Sequence, residues 1–272
     1  MKMKRLGLTD EFIPEIGLGT WNYLGDPEVI RESVEQGGFL IDTAENYHTE
    51  EAVGLVVSEN RDKYFLATKV SPSNLRYGDV LSAADRSLIR LKTDHIDLYQ
   101  VHGPNPGVPI EETMAAMDHL MKSGKIRYVG VSNFSVQQLK DAQAVLTQGN
   151  IVCNQVHYNL VRREIEEDLM PFCEETGVTI MAYTPLISGG FKSAMASQPE
   201  LGLAIEEMCQ SIGLTVAQLL LSWCVHHPSV VTIPQTNRVS RVIENCAASE
   251  LHLDDGQHAI LRQAAINSTK KN

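Results

Sequence analysis

Hydrophobic residues occur along the chain in eight short runs, separated by longer segments in which apolar positions recur with helical spacing. The runs cover residues 13–20, 39–44, 64–70, 96–102, 126–134, 151–159, 178–185 and 230–236. Each run is almost continuously apolar and rich in β-branched residues, which is typical of parallel strands buried on both faces. The pattern therefore predicts eight strand–helix units, with an additional helical stretch at residues 200–212 before the last strand.

Capping residues define several of the predicted helices. Asp26 followed by Pro27 is typical of the N-cap and first position of a helix. Ser135 and Gln138 have the spacing of a capping box, in which each side chain bonds the other residue's backbone N–H. Gly177 stands where a helix should end in a left-handed residue.

Eight such units in 272 residues predict an α/β fold, a (β/α)8 TIM barrel. We expect a β-hairpin that caps the barrel at the N-terminus, extra helices at the C-terminus, and one domain over residues 1–272. An open doubly wound sheet is the alternative, but its G-x-G-x-x-G fingerprint is missing. The most similar segment, Gly17-Leu18-Gly19, lacks the third glycine.

Composition narrows the function classes. The formal net charge of −11 disfavours a nucleic-acid partner, because phosphate binding needs a basic surface. No apolar stretch is long enough for a signal peptide or a membrane span, so we expect a cytoplasmic protein with no membrane partner. Five cysteines without a C-x-x-C pair, and histidines without an H-E-x-x-H spacing, indicate reduced thiols and no metal site. We further expect a monomer.

Polar residues cluster where the apolar runs end. These ends carry Asp42, Lys69, His102, Ser132-Asn133, Asn154-Gln155, Tyr183-Thr184 and Gln235-Thr236. In a barrel the carboxyl ends of all strands meet at one face, which is the face that carries active sites. The distribution therefore predicts a functional site assembled from at least seven strands.

Three of these residues, Asp42, Lys69 and His102, together with Tyr47 form a candidate proton-donating set. A free tyrosine has a pKa of about 10, too high for an efficient acid at neutral pH. A neighbouring lysine cation lowers the pKa of a phenol, and a carboxylate keeps that lysine charged and in place. A histidine can orient a substrate oxygen by hydrogen bonding. The set is suited to protonating an oxyanion that forms on a carbonyl carbon.

At these residues the sequence resembles the aldo-keto reductases, and the similarity extends over nearly the whole chain. The motifs that carry the resemblance, in the family's order, are DTAENYHTEEAVG (42–54), LATK (66–69), LYQVHGP (98–104), GVSNF (130–134), NQVHYN (154–159), AYTPL (182–186) and IPQTNRVSRVIEN (233–245). The resemblance implies an NAD(P)H-dependent reductase of aldehydes or ketones. It also implies a barrel that binds its nicotinamide cofactor without a Rossmann fold.

Residue roles follow from the resemblance, position by position. It implies that Tyr47 is the general acid, that Lys69 lowers the pKa of Tyr47 and pairs with Asp42, and that His102 orients the carbonyl. The substrate pocket is expected to comprise Trp21, Tyr47, His48 and His102. The expected cofactor residues are Gly19, Thr20, Trp21 and Asp42 at the nicotinamide end, Ser132, Asn133 and Gln155 at the carboxamide, Tyr183 on the ring, Thr184, Leu186 and Ser188 near the pyrophosphate, and Gln235, Thr236, Asn237, Arg241, Glu244 and Asn245 along the adenosine half.

Three positions depart from the family's pattern. Gln235 replaces a frequent lysine that meets the 2′-phosphate of NADPH, although Arg238 and Arg241 remain nearby. We expect NADPH to be favoured over NADH, because arginine pairs well with a phosphate. His48 replaces a frequent glycine after the tyrosine and could narrow the pocket, whereas Gly103 replaces a frequent tryptophan and could widen it.

Two other functions remain open at this point. A non-catalytic barrel could bind a nicotinamide cofactor and act as a redox sensor or regulatory subunit, although such a protein has no need for a tuned acid. A hydrolase or lyase without a cofactor is a further alternative. The sequence offers no G-x-S-x-G elbow that would support a serine hydrolase.

Overall fold

The computed structural model describes residues 1–187, 198–251 and 253–269. All eight predicted strands are present and form one parallel sheet in sequence order. After a first hairpin, formed by β1 (Met3–Arg5) and β2 (Phe12–Pro14), the strands are β3 (Leu18–Gly19), β4 (Leu40–Asp42), β5 (Phe65–Val70), β6 (Ile96–Val101), β7 (Ile126–Ser132), β8 (Ile151–His157), β9 (Thr179–Tyr183) and β10 (Val230–Thr232).

The sheet closes on itself between its first and last strands. The Gly17 N–H donates to Thr232 O over 2.8 Å, and the Thr232 N–H donates to Glu15 O over 2.8 Å. Parallel bridges join Ile16 to Thr232 and Gly19 to Gln235. A closed parallel sheet with helices between its strands is a (β/α)8 barrel, so the predicted fold class is confirmed and the open doubly wound alternative is excluded.

The predicted N-terminal hairpin closes the lower end of the barrel. Its strands β1 and β2 are antiparallel, with Met3 opposite Pro14. Leu6 and Ile13 are fully buried and pack with inward-facing residues of the barrel such as Leu40 and Leu98. The lower half of the barrel is therefore a packed apolar core, which leaves the upper, carboxyl-terminal end for polar side chains.

The helices follow the predicted capping signals. They are α1 (Pro27–Glu35), α2 (Glu50–Val57), α3 (Tyr77–Leu91), α4 (Ile110–Lys122), α5 (Val136–Val145), α6 (Leu169–Thr176), α7 (Pro199–Ile212), α8 (Val216–Val225), α9 (Val239–Ala247) and α10 (Asp255–Thr269). The Asp26 side chain accepts from the Glu28 N–H at the start of α1, and Ser135 and Gln138 form the capping box of α5. Gly177 ends α6 with a φ of 69°.

Two features of the described residues bear on membranes and metals. No single helix among them is long and apolar enough to cross a membrane, although the pair α7 and α8, bent by 95°, meets that test by length and composition. The described residues contain no group of three or more His, Cys, Asp or Glu side chains able to hold a metal ion.

Candidate active site

The four predicted catalytic residues meet at the upper end of the barrel. Asp42 ends β4 and Lys69 lies near the end of β5, while His102 directly follows β6. Tyr47 is carried by a 3-10 turn, Glu45–Tyr47, that follows β4. The Tyr47 hydroxyl lies 3.4 Å from Lys69 Nζ and 3.4 Å from His102 Nε2. Parallel strands thus bring together side chains that are far apart in sequence, as the pattern of strand ends predicted.

Lys69 and Asp42 form a buried ion pair below the tyrosine. Lys69 Nζ donates to Asp42 Oδ1 over 2.5 Å and to the Thr43 carbonyl over 2.8 Å. Neither side chain is more than 2% exposed. The ammonium group also lies 4.8 Å from the centre of the Tyr47 ring. A pair held in this way fixes one positive charge next to the phenol.

The second carboxylate oxygen of Asp42 is bound by two amide side chains. Gln155 Nε2 donates to Asp42 Oδ2 over 2.8 Å, and Gln100 Nε2 donates to the same oxygen over 3.2 Å. Gln100 was not among the predicted site residues, although a polar residue inside a strand, two positions before His102, was an available signal. Residue 130 is a glycine, and this leaves space for the Gln100 side chain. In any other residue at this position, the Cβ would lie only 2.9 Å from Gln100 Cγ.

Burial and neighbouring charges together set the protonation states of Tyr47 and Lys69. Burial raises the pKa of Tyr47 above its ordinary value, and the Lys69 charge offsets only part of that increase. The effect of Lys69 on the Tyr47 pKa has the predicted sign, but the loss of water has the larger effect, so the pKa of Tyr47 is raised overall. Burial lowers the pKa of Lys69, but the Asp42 carboxylate and Tyr47 outweigh it, so the pKa of Lys69 is raised and its ammonium group stays charged.

His102 is neutral at physiological pH. Burial, reinforced by the Lys69 charge, lowers the pKa of His102 to about 4. Its Nε2 faces Tyr47, while its buried Nδ1 has no hydrogen-bond partner among the described residues. A neutral imidazole with Nε2 toward the tyrosine can donate a hydrogen bond to a substrate oxygen without adding charge.

A cavity of about 500 Å³ opens above these residues. Of the predicted site residues, those that line it are Gly19, Thr20, Trp21, Asp42, Tyr47, His102, Ser132, Asn133, Gln155, Tyr183, Thr184, Leu186 and Gln235. Trp21 forms part of the wall, and its ring contacts Tyr47 edge-on at 5.1 Å between centroids. The cavity is also lined by four residues that were not predicted: Pro185, Ile187, Ile233 and Pro234.

Other predicted residues lie outside the cavity lining. Thr236, Asn237, Arg241, Glu244 and Asn245 belong to the segment that leads into α9 and to α9 itself. The Asn237 side chain bonds the Leu24 N–H over 2.9 Å and the Asn22 carbonyl over 3.0 Å, which ties this segment to the loop after β3. Ser188 lies outside the described residues.

His48 does not line the cavity, contrary to its predicted place in the substrate pocket. It is exposed, and its φ of 58° lies in the left-handed region. That conformation favours glycine, so the backbone here explains why a glycine is frequent at this position of the motif.

The side chains on one wall of the cavity fit a nicotinamide group. Its carboxamide both donates and accepts hydrogen bonds, and Ser132, Asn133 and Gln155 offer hydroxyl and amide groups of both kinds. These groups are already ordered: Ser132 Oγ donates to the Gln155 carbonyl over 2.8 Å, and Tyr183 OH donates to Asn133 Oδ1 over 3.0 Å. The Tyr183 ring is stacked by His157 at 5.2 Å, which leaves its other face to the cavity.

Comparison with known proteins agrees with this geometry. The chain matches the aldo/keto reductase family over residues 15–266. The chain belongs to the aldo/keto reductase family. It is therefore an oxidoreductase that reduces carbonyl groups with a nicotinamide cofactor, as the resemblance of its motifs implied.

Three similar proteins illustrate the breadth of this aldo/keto reductase match. The chain is 34% identical over 267 residues to the methylglyoxal reductase YeaE of Escherichia coli K12, covering 94% of this chain and 92% of that protein. A thermostable aldo-keto reductase solved with the inhibitor epalrestat superposes with a TM-score of 0.90 at 38% identity, covering 97% of this chain and all of the other. An aldo/keto reductase from Klebsiella pneumoniae, solved with NADP and acetate, superposes with a TM-score of 0.86 at 36% identity. The match covers 96% of this chain and 94% of that protein.

Proposed function

We propose that this aldo/keto reductase reduces small aldehydes or ketones to alcohols, with Tyr47 as the proton donor and NADPH as the preferred cofactor. The observation that carries the proposal is the position of the Tyr47 hydroxyl, 3.4 Å from both Lys69 Nζ and His102 Nε2 at the floor of the cavity. When bound, the nicotinamide group supplies a hydride for the carbonyl carbon. The protein's own side chains orient the substrate, transfer the proton and stabilise the charges that develop.

Tyr47 and His102 act on the carbonyl oxygen. As negative charge develops on that oxygen, hydrogen bonds from the Tyr47 hydroxyl and the neutral His102 imidazole stabilise it. Tyr47 then transfers its proton to the oxygen. Tyr47 is protonated at neutral pH, and the Lys69 charge opposes the increase in its pKa that burial causes, which favours release of the proton.

Lys69 and Asp42 support the proton transfer from below. Loss of the proton leaves a phenolate on Tyr47, and the Lys69 ammonium stabilises it across 3.4 Å. Asp42 holds that ammonium in place and, with the bonds from Gln100 and Gln155, is itself kept from moving. The pair thus supplies positive charge where it is needed without having to reorganise during the reaction.

The cofactor is proposed to lie across the cavity and toward α9. Ser132, Asn133 and Gln155 would hold the carboxamide and the Tyr183 ring would stack on the nicotinamide. Further contacts would come from Gly19, Thr20, Trp21, Thr184, Leu186, Gln235, Thr236, Asn237, Glu244 and Asn245. Arg238 and Arg241, both exposed near the start of α9, are proposed to bind the 2′-phosphate, which is the basis of the preference for NADPH.

The substrate is proposed to be a small carbonyl compound such as a 2-oxoaldehyde. The relative from Escherichia coli is a methylglyoxal reductase by name, and it aligns with nearly the whole chain. One domain over residues 1–272, a monomeric state and a cytoplasmic location stay predictions. The location is supported by the five free cysteines.

Replacement of Tyr47 by Phe tests the proposal. The variant should bind NADPH with an unchanged Kd, measured from nicotinamide fluorescence, because the cavity wall is preserved. Its kcat for methylglyoxal should fall by about 100-fold or more, since a positioned acid contributes about 10²–10⁴-fold. Turnover at the wild-type rate would refute the role of Tyr47. A wild-type protein that binds NADPH but reduces no carbonyl compound would favour a non-catalytic redox sensor.

A further inference from the structure

The short turn formed by residues 71–74 joins the structural elements that carry the catalytic side chains. It follows directly on β5, whose residue Lys69 lies two positions before Ser71. On one side it contacts the 3-10 turn Glu45–Tyr47, and on the other it contacts the loop that follows His102. The turn is therefore placed to relate three catalytic positions to one another.

Glu45 makes the contact on the tyrosine side. Its Oε1 accepts the Ser71 N–H over 2.6 Å and the Asn74 Nδ2 over 3.0 Å. The side chain is only 8% exposed, and its other oxygen lies 3.8 Å from Arg86. A carboxylate that accepts a backbone N–H in a buried place forms a strong, directional bond, because the acceptor is charged.

The position of residues 70–74 is also fixed by hydrogen bonds from the segment that follows β6. Asn105 Nδ2 donates to the Pro72 carbonyl over 2.7 Å, and the His102 N–H donates to Val70 O over 2.9 Å. These bonds tie the turn to β6 and to the loop after it. Glu45 thus connects the tyrosine turn to a segment whose position is already fixed relative to Lys69 and His102.

We propose that Glu45 is a positioning residue that sets the distance between Tyr47 and Lys69. Tyr47 lies two residues after Glu45 on the same three-residue turn, which is closed by the backbone bond from the Tyr47 N–H to Ala44 O. The inference rests on the proposed function, in which the Lys69 charge stabilises the Tyr47 phenolate. Without the Glu45 bond, the tyrosine turn loses its side-chain link to residues 71–74, and the Tyr47 hydroxyl is held less firmly at its distance from the ammonium.

The consequence for the reaction is a loss of rate with little loss of binding. The cavity wall and the groups proposed to bind the cofactor do not involve Glu45. A displacement of about 1 Å in a reacting group can lower the rate by about 100-fold, although the mutation is remote from the chemistry. The effect should therefore appear in kcat, while KM and the Kd for NADPH change little.

Three variants test this inference. Glu45→Ala removes the acceptor. Glu45→Gln keeps an oxygen for the Ser71 N–H and should rescue the rate. Ser71→Pro removes the donor instead, and the Ser71 φ of −67° is one that proline adopts. We expect kcat to fall by about 10- to 100-fold in Glu45→Ala and Ser71→Pro and by less than about 3-fold in Glu45→Gln.

A matched control separates positioning from general damage. Glu15 is 4% exposed, accepts the Ser249 hydroxyl over 2.8 Å and lies at the lower end of the barrel, where the hairpin joins β3. Glu15→Ala should lower the melting temperature as much as Glu45→Ala does and leave kcat unchanged. Wild-type kcat in Glu45→Ala, an equal loss in Glu45→Gln, or a parallel rise in KM and Kd would overturn the inference. If Tyr47→Phe is itself fully active, the proposed function fails instead.

Discussion

The Lys69 ammonium lies 2.5 Å from Asp42 Oδ1, and both side chains are withdrawn from solvent. Two charges lose their hydration when they are buried, and their attraction compensates only while both are present. The remaining oxygen of Asp42 is bound by the Gln155 and Gln100 amides. The pair is therefore a site where a single substitution affects stability as well as catalysis.

Lys69→Met should destabilise the protein by about 3–5 kcal/mol, because it leaves the Asp42 carboxylate buried without its partner. The double variant Asp42→Asn/Lys69→Met should recover most of that free energy of unfolding, since no unpaired charge remains. Both proteins should be nearly inactive, because the phenolate of Tyr47 loses its cation. Urea denaturation and single-turnover kinetics measure the two effects. Equal stabilities for the single and double variants would contradict the argument.

The neutral state of His102 leads to a prediction about the pH profile. Because burial and Lys69 lower its pKa to about 4, the imidazole should not titrate near pH 6.5. We expect kcat/KM for carbonyl reduction to show no imidazole transition between pH 5.5 and 8. Proton NMR of the His102 ring, assigned with His102→Asn, measures the midpoint directly. A transition near pH 6.5 that disappears in His102→Asn would show that the imidazole is hydrated and not buried.

Much of this arrangement could be predicted from the sequence. Strands buried on both faces give continuous apolar runs, and parallel strands place their carboxyl ends together. A polar residue at the end of such a run, for example Asp42 or Lys69, is therefore informative by its place alone. The capping residues Asp26 and Ser135 act locally, through bonds within three residues, and they were predicted for the same reason.

Features that depend on contacts between distant segments could not be predicted. Gln100 and Glu45 are distinguished only by their partners, Asp42 and Ser71, which are 58 and 26 residues away. The direction of the Tyr47 pKa shift depends on whether burial or Lys69 has the larger effect, and the sequence contains no measure of burial by loops. His48 was placed in the substrate pocket because it follows Tyr47 in the sequence, but it is exposed and does not line the cavity.

The proposed preference for NADPH should become stronger when Gln235 is replaced by the lysine that the family often carries. Gln235 is exposed at the edge of the cavity, so Gln235→Lys should place a cation near the 2′-phosphate without disturbing the core. We expect the Kd for NADPH to fall by about 5-fold or more in Gln235→Lys and to rise by a similar factor in Arg241→Ala. Each variant gains or loses one hydrogen bond to a charged group, and such a bond has an effect of this size. NADH is the internal control in fluorescence titrations of both variants, because it lacks the phosphate. Equal changes for the two cofactors would place Arg241 away from the phosphate.

The protonation of His258 should make the free energy of unfolding depend on pH. Its ring is stacked between Trp223, at 4.9 Å, and His226, at 4.3 Å, and burial together with the His226 charge lowers its pKa to about 4. An unfolded histidine has a pKa of about 6.5, so between pH 6.5 and 4 the unfolded chain binds more protons than the folded one, and the free energy of unfolding falls as the pH falls. His258→Phe keeps an aromatic ring on Trp223 and removes the titrating group. Urea unfolding at pH 7 and pH 4.5 should therefore show that the free energy of unfolding decreases less in His258→Phe than in the wild type. The control is His119→Phe, because His119 is exposed. If the free energy of unfolding of His258→Phe decreases as much as that of the wild type, the acid sensitivity belongs to other groups.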